Sequence, residues 1–485
     1  MKRRPILLSL FLIGLALLFI QLTAFSPNPL KGKDPKAKYV FLFIGDGMGQ
    51  AQVNLTQGYL AALDEKVGFN GLSFTEFPQV GFVSTFANDH MITCSAAAGT
   101  AMACGYKTNN GRISVDPGGT EPFESIAVKA KRSDYKVGIL SSVSIDHATP
   151  AVFYSHQPDR NMYFEIGLDL TESDFDLFAG GGFSIPEGIV DGDSVNLTDL
   201  AKQKGFNVVN TYEDFDQLVS SEGKTLVLSP REAGGSSMPF YIDMAPVDIT
   251  LADYTAKAIE MLTNKNGFFM MIEGGKIDWA CHANDAATSI QEVIAFDNAI
   301  EHAYAFYKEH PDETLIIVTA DHETGGLALG NNKIAYDSHL DLLKYQKSSV
   351  EELNQIVAQF RINKSGDPGA DFKRMMKVVE TEIGLNSKVH NTLLSDEEIA
   401  ALKKVFNESV YGTGAEEGSY GDYEAIIRAA IKLLAEKAGI SWGTSAHTSV
   451  NVPVYAIGEG SEKFSGYIDN TDIPKFISEI MDLGK

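Results

Sequence analysis

The chain has 485 residues, with 40 Lys+Arg against 64 Asp+Glu and a formal net charge of −24. Hydrophobic residues make up 44% and charged residues 21%, which excludes a disordered chain, and the scattered 44 Gly and 17 Pro exclude a collagen-like or low-complexity array. The negative balance argues against nucleic acid or an anionic membrane as a recognition partner, but not against a small anionic substrate, because bound metal ions can invert the local field.

In chain order, Lys2, Arg3 and Arg4 precede an apolar run from Ile6 to Ile20, and polar residues follow from Gln21. A basic start and a short apolar core read as a secretory signal peptide over residues 1–24, with Ala24 a candidate cleavage site. The expected location is therefore exported, periplasmic or extracellular. A retained membrane anchor is the alternative, although the run is shorter than the ~20 residues a span prefers. The three cysteines, Cys94, Cys104 and Cys281, are too few and odd in number for a disulfide framework. Cys94 and Cys104 fall on one expected helix, too far apart to pair.

Short β-branched and aromatic runs predict strands at Tyr39–Ile44, Val137–Leu140, Asp176–Ala179, Thr225–Leu228, Phe268–Ile272, Leu315–Thr319 and Val454–Ile457. Several are apolar on both faces, and helical stretches alternate with them. The expected fold is α/β: a doubly wound, mostly parallel sheet sandwiched by helices. From Asn331 to Ile440 the strand signals vanish. Ser349 with Glu352, and Ser395 with Glu398, have capping-box spacing, and Asp422–Lys437 is an amphipathic run that stops at Gly439. The chain thus divides into an α/β core over 38–330 and 441–485, and a helical insertion over 331–440. That insertion reads as a lid, an interface element, or a helical subdomain with no role at the site.

Ligands of open α/β sheets bind at the carboxyl ends of the strands. The first strand ends in Gly45-Asp46-Gly47, which read alone is an Asp-Gly turn. The strand Phe268–Ile272 runs into Glu273, and Asp278 and His282 follow four residues apart, so they share one side of a helical turn. Asp321 and His322 follow Leu315–Thr319, and His447 precedes the last predicted strand. Each signal is modest. Together, Asp46, Glu273, Asp278, His282, Asp321, His322 and His447 could fill two nitrogen/oxygen zinc sites and one oxygen-rich site suited to a harder ion.

The small-residue run Thr93-Cys94-Ser95-Ala-Ala-Ala-Gly-Thr-Ala101 predicts a helix with Ser95 near its N-terminus. There the dipole and free N–H groups favour an alkoxide or a phosphate. Read alone, the segment is a tightly packed helix with a capping Ser. Ile145-Asp-His147-Ala-Thr149-Pro150 follows another strand, and Arg160, whose planar fork matches phosphoryl oxygens, comes soon after.

Taken in order, these motifs resemble the alkaline phosphatase family across the α/β core. The resemblance rests on Ile44-Gly-Asp46-Gly-Met-Gly49, the Ser95 run with Lys107-Thr-Asn-Asn-Gly111, and His147-Ala-Thr149-Pro150 with Arg160. It continues through Ala179-Gly-Gly-Gly182, Glu273-Gly-Gly-Lys-Ile-Asp278-Trp279-Ala-Cys-His282, Thr319-Ala-Asp321-His322-Glu-Thr-Gly-Gly326 and the late His447. It implies hydrolysis of phosphate monoesters, with release of inorganic phosphate, through a covalent phosphoserine on Ser95, and an alkaline optimum. It further implies one zinc on Asp278, His282 and His447, a second zinc on Asp46, Asp321 and His322, and one magnesium on Asp46, Thr149 and Glu273. Arg160 would clamp the phosphoryl oxygens, and the protein would be a homodimer.

Three positions depart from the family pattern. His147 stands where some members carry a metal-binding Asp, implying a more water-filled third site. Trp279 stands where others carry Lys or His near the phosphate. Cys94 precedes the nucleophile where many members have an Asp that orients the Arg, so a more mobile Arg160 is expected. A phosphodiesterase or phosphonate hydrolase of the same superfamily, and a metal-dependent phosphate binder without turnover, are the alternative functions. A sulfatase is disfavoured because Cys94 is not followed by the C-x-P-x-R pattern.

Overall fold

The computed structural model describes residues 36–219, 223–412 and 423–484. The expected signal peptide, with Ala24, and the start of the run from Asp422 lie outside the described residues. Among the described residues, no helix is long and apolar enough to cross a membrane.

Ten strands form the central sheet: β1 (Tyr39–Ile44), β2 (Gln79–Ser84), β3 (Lys136–Ser141), β4 (Leu177–Gly180), β5 (Phe206–Val209), β6 (Lys224–Leu228), β7 (Phe268–Glu273), β8 (Thr314–Thr319), β9 (Val452–Gly458) and β10 (Gly466–Asp469). Their order is β10-β2-β9-β8-β1-β7-β3-β4-β6-β5. All neighbours are parallel except β9, which is antiparallel to both β8 and β2. The expected mostly parallel, doubly wound sheet is therefore observed. Strands β1, β7 and β8 are buried at every residue, which is why their sequences are apolar on both faces.

The register brings four carboxyl ends into one line. Ile44 of β1 lies opposite both Thr319 of β8 and Glu273 of β7, and Glu273 lies opposite Ser141 of β3. Whatever follows these strands converges at one edge of the sheet.

Sequence patterning missed β2, β5 and β10. β2 buries only alternate residues and is interrupted by Gly81, while β5 and β10 are four residues each. The strand expected from Asp176 begins one residue later, because the Asp176 carboxylate instead accepts from Val137 N and pairs with Lys131.

Eight helices matter below: α1 (Gln50–Leu63), α2 (Ser95–Cys104), α3 (Lys276–His282), α4 (Ala286–Glu309), α5 (Val350–Ile362), α6 (Pro368–Val378), α7 (Asp396–Phe406) and α8 (Ala425–Ala438). The helical stretch α5–α8 opens and closes on a small antiparallel ladder in which Leu327 pairs with Trp442 and Leu329 with Ile440. It has its own apolar core, including Leu353, Met375, Phe406, Ile426 and Leu434, which packs onto Leu55 and Tyr59 of α1 and Ile290 of α4. Each such side chain contributes about 1.5–3 kcal/mol by leaving water. Ser395 and Glu398 form the expected reciprocal capping box. Ser349 and Glu352 do not: Ser349 Oγ accepts from Glu351 N and Glu352 N, but Ser349 N donates to Asp243. α8 ends at Gly439, whose φ of 95° is the left-handed cap expected there.

Candidate active site

Asp46 sits two residues beyond β1 and is fully buried. The turn that places it depends on Gly47, whose φ is 71° and whose N–H donates to Asp321 Oδ1 at 3.1 Å. A Cβ on Gly47 would lie 2.9 Å from both Asp278 Oδ1 and Thr324 Oγ1, so the left-handed turn and the close approach both require glycine.

Ser95 is the first residue of α2, with Cys94 as its N-cap. Its hydroxyl lies 3.3 Å from His322 Nε2. Cys94 holds the adjacent loop: its Sγ accepts from Gly111 N, and its N–H donates to Asn110 Oδ1. All three cysteines are free thiols.

Three imidazoles are oriented by their Nδ1 atoms. His282 Nδ1 meets the Ser445 carbonyl at 2.6 Å, and His447 Nδ1 meets the Thr93 carbonyl at 2.9 Å. Carbonyls only accept, so both Nδ1 atoms carry the proton and both Nε2 atoms present lone pairs. Thr324 Oγ1 donates its proton to Asp278 Oδ1, so it accepts from His322 Nδ1, and His322 Nε2 also presents a lone pair. His282 Nε2 and His447 Nε2 face each other at 3.1 Å, with Asp278 Oδ2 3.3 Å from the former. Asp321 Oδ2 and Asp46 Oδ1 lie 3.2 and 3.4 Å from His322 Nε2. Asp46 Oδ1, Glu273 Oε1, Asp278 Oδ2 and Asp321 Oδ2 are buried without a hydrogen-bond donor among the described residues. Carboxylate oxygens and imidazole lone pairs aimed at one another, with no donors between them, are a donor set that fits divalent cations.

Three overlapping clusters result: Asp278, His322 and His447; Asp46, Asp321 and His322; and Asp46, His147 and Glu273. His282 adjoins the first through His447 and Asp278. Thr149 Oγ1 lies 3.5 Å from Asp46 Oδ2 at the third, and Ser141 Oγ donates to Glu273 Oε2.

Electrostatics agree with this geometry. Burial, then repulsion from Asp321, Asp278 and Glu273, raises the Asp46 carboxyl well above its ordinary range. Burial pushes Glu273 up to about 8 and, with Asp278, pushes Asp321 up to about 7. Burial alone would raise Asp278 too, but its imidazole neighbours, His282 foremost, hold it well below the usual range. Burial opposes charge on His282, yet the Asp278 carboxylate outweighs it and raises its pKa.

Arg160 Nη2 donates to His147 Nε2 at 3.0 Å. His147 is buried, and burial followed by the Arg160 charge pushes it down to about 3, so its ring is neutral. With Nε2 accepting, the ring proton sits on Nδ1, which leaves the third cluster to oxygen donors. His147 thus gives Arg160 one hydrogen-bond acceptor. The Arg160 charge is also felt at Asp46, His282, His322 and His447. The Trp279 ring meets His147 edge-on at 5.9 Å and belongs to a small apolar cluster with Val143, Phe240 and Ala280.

A sequence model of the alkaline phosphatase family matches residues 37–483. The chain belongs to the alkaline phosphatase family. Alkaline phosphatase 4 of Bacillus subtilis (strain 168) is 32% identical over 457 residues, covering 92% of this chain and 89% of that protein. A cold-active alkaline phosphatase from a psychrophilic Shewanella superposes with a TM-score of 0.75 at 29% identity, covering 92% of this chain and all of that one. A TAB5 alkaline phosphatase variant solved with Mg bound has a TM-score of 0.63 at 26% identity, covering 93% of this chain and all of its own. The expectation of a phosphoric monoester hydrolase stands with this membership.

Sequence reading overlooked Thr324, Ser141 and Lys276, which touch or flank the candidate ligand residues. Thr324 and Lys276 lie inside the motifs already singled out, and their polar character was the available signal.

Proposed function

We propose that the protein hydrolyses phosphate monoesters through a phosphoserine on Ser95, at a site holding two zinc ions and one magnesium ion. The observation that carries this reading is the seating of the Ser95 hydroxyl 3.3 Å from His322 Nε2, with the Asp46 and Asp321 oxygens gathered on the same nitrogen. Asp278, His282 and His447 would hold one zinc, Asp46, Asp321 and His322 the other, and Asp46, Thr149 and Glu273 the magnesium. When bound, the ions would supply Lewis acidity and positive charge against the phosphoryl oxygens, offsetting an otherwise acidic protein.

The chain's own residues do the rest. Ser95 Oγ forms a bond to phosphorus as the ester P–O bond breaks and the alcohol departs. Water then breaks the P–Oγ bond, so ester plus water gives alcohol plus inorganic phosphate and Ser95 is restored. The free N–H groups at the start of α2 favour negative charge on Oγ and on the phosphoryl group. Arg160, braced by His147, would present its guanidinium to the phosphoryl oxygens. Asp46, Thr149, Glu273, Asp278, Asp321 and His322 are fully buried, which limits competition from bulk water for these contacts.

The assembly is proposed to be a homodimer. An exposed apolar sheet face supports this: Phe82 of β2 lies beside Tyr467 of β10, with Val80 on the same side of β2. The basic start and apolar run of residues 1–24 support export to the periplasm or medium.

The deciding experiment incubates metal-loaded protein with labelled phosphate monoester, quenches it in acid and maps the label. Label on Ser95, lost in Ser95→Ala together with several orders of magnitude in kcat, is the expected outcome. Unlabelled protein with full turnover, or tight phosphate binding without hydrolysis of any ester, would reject the reading.

A further inference from the structure

Helix α3 carries ligand candidates on one side and an unusual lysine on the other. Lys276 is fully buried although it is a lysine. Its Nζ donates to Ser237 Oγ at 3.0 Å and to Glu351 Oε1 at 3.2 Å. The same ammonium sits over the Phe240 ring at 3.7 Å and the Trp279 ring at 4.7 Å. Glu351 belongs to the first turn of α5, so this ion pair joins the helical stretch to the helix that carries Asp278 and His282. Lys276 and Trp279 are three residues apart and share one side of α3.

The contacts continue toward the phosphoryl clamp. The Trp279 indole packs on Gly235, where a Cβ would come within 3.0 Å of its ring, and a Cβ on the neighbouring Gly234 would come within 3.2 Å of Glu351 Oε1. Trp279 then meets His147, and His147 accepts from Arg160. Only the lysine end of this pair is fully buried, Glu351 keeping 22% of its side chain exposed, and desolvating the ammonium offsets much of the attraction, so the pair is poor value for stability. Its geometry, by contrast, is tightly specified: one ammonium held by a hydroxyl, a carboxylate and two aromatic faces.

We propose that Lys276 and Glu351 are positioning residues, a latch through which the helical stretch 331–440 fixes the Trp279 indole against His147 and thereby sets the reach of Arg160. This rests on the reading that Arg160 binds the phosphoryl group. The helical stretch then tunes phosphate recognition from outside the metal clusters, with none of its described residues among the candidate ligand groups.

The test uses the full-length, zinc- and magnesium-loaded protein carrying Trp442→Phe, which leaves Trp279 as the sole indole of the two in the chain. In that background Glu351→Gln should raise KM for an aryl phosphate and the inhibition constant of inorganic phosphate by several-fold, less than the roughly 30-fold expected on losing the Arg160 guanidinium itself. The kcat should change little, and the Trp279 emission should shift. Glu351→Asp, which keeps the charge, should recover much of both effects. Unchanged phosphate inhibition with unchanged Trp279 emission in Glu351→Gln would overturn the latch. So would a loss of thermal stability that moves kcat and KM together and is not rescued by Glu351→Asp. Should the parent protein neither hydrolyse monoesters nor label Ser95, the proposed function fails instead, and the Trp279 emission of Glu351→Gln still tests the coupling.

Discussion

His282 Nε2 and His447 Nε2 face one another at 3.1 Å, each with its Nδ1 committed to a backbone carbonyl. Two lone pairs at that distance repel unless a cation lies between them. The Asp278 carboxylate raises the His282 pKa and so favours a proton there in the metal-free protein; under the proposed function a zinc ion would take its place. His447→Ala should therefore lower zinc affinity by ~10-fold or more, by analogy with the losses seen when even supporting groups are removed. Chelator competition and elemental analysis measure this, and full zinc retention would remove His447 from the ligand set.

The hydrogen bond from Arg160 to His147 leads to a second expectation. Arg160→Ala should weaken inhibition by inorganic phosphate by ~2 kcal/mol, roughly 30-fold, as for hydrogen bonds to charged groups. Arg160→Lys should restore little, because a point charge cannot reproduce the planar fork that reaches both His147 and an anion. Equal phosphate inhibition in parent and Arg160→Ala would rule out the clamp.

Metal removal should make stability fall with rising pH. The folded-state pKa of Glu273 is about 8 and that of Asp321 about 7, against ~4 in an unfolded chain. Between those values the folded chain binds more protons than the unfolded one, so metal-free stability declines as pH rises through this window. Asp278, with its depressed pKa, acts the other way, and its contribution is lost only as the pH falls into the acid range. Thermal unfolding of chelated protein should thus show a lower Tm near pH 8.5 than near pH 5.5, and Glu273→Gln should flatten the trend. Restored metals should reverse it, since ligands that shed protons bind cations more tightly as pH rises. A chelated Tm that climbs steadily to pH 8.5 would contradict the mutual repulsion of these carboxylates.

Gly47→Ala combines backbone strain with a clash. A φ of 71° costs a residue with a Cβ ~1–2 kcal/mol, and the new methyl would press on Asp278 Oδ1. Both Tm and zinc affinity should drop. A variant with parental zinc binding would mean that the turn relaxes without moving Asp278.

Much of the site was legible in the sequence because parallel strands buried on both faces leave short apolar runs, and the residues ending those runs are the ones that meet. Asp46, Glu273, Asp321 and His322 were found that way. Asp278 and His282 followed from helical spacing; the small residues after Ser95 marked only a helix N-terminus, and its role as nucleophile came from the family resemblance. Legibility ended where tertiary packing decides. Nothing local in Ile145–Pro150 says that His147 accepts from Arg160, or that the ring proton thereby moves to Nδ1. The pairing of Lys276 with Glu351 spans the boundary between sheet and helical stretch. Strands β2, β5 and β10 were missed because half-exposed or four-residue segments carry too little periodic signal.

The hydrogen bond between His447 Nδ1 and the Thr93 carbonyl spans 354 positions of sequence. At a synthesis rate of ~5–20 residues per second, ~20–70 s pass between emergence of the Thr93–Ser95 segment and that of His447. During that interval the nascent polypeptide holds a hydroxyl, several acids and half a cage. Under the proposed function, the cage of Asp278, His282 and His447 would stay incomplete until the tail is made, and hydrolysis that depends on it would wait for release.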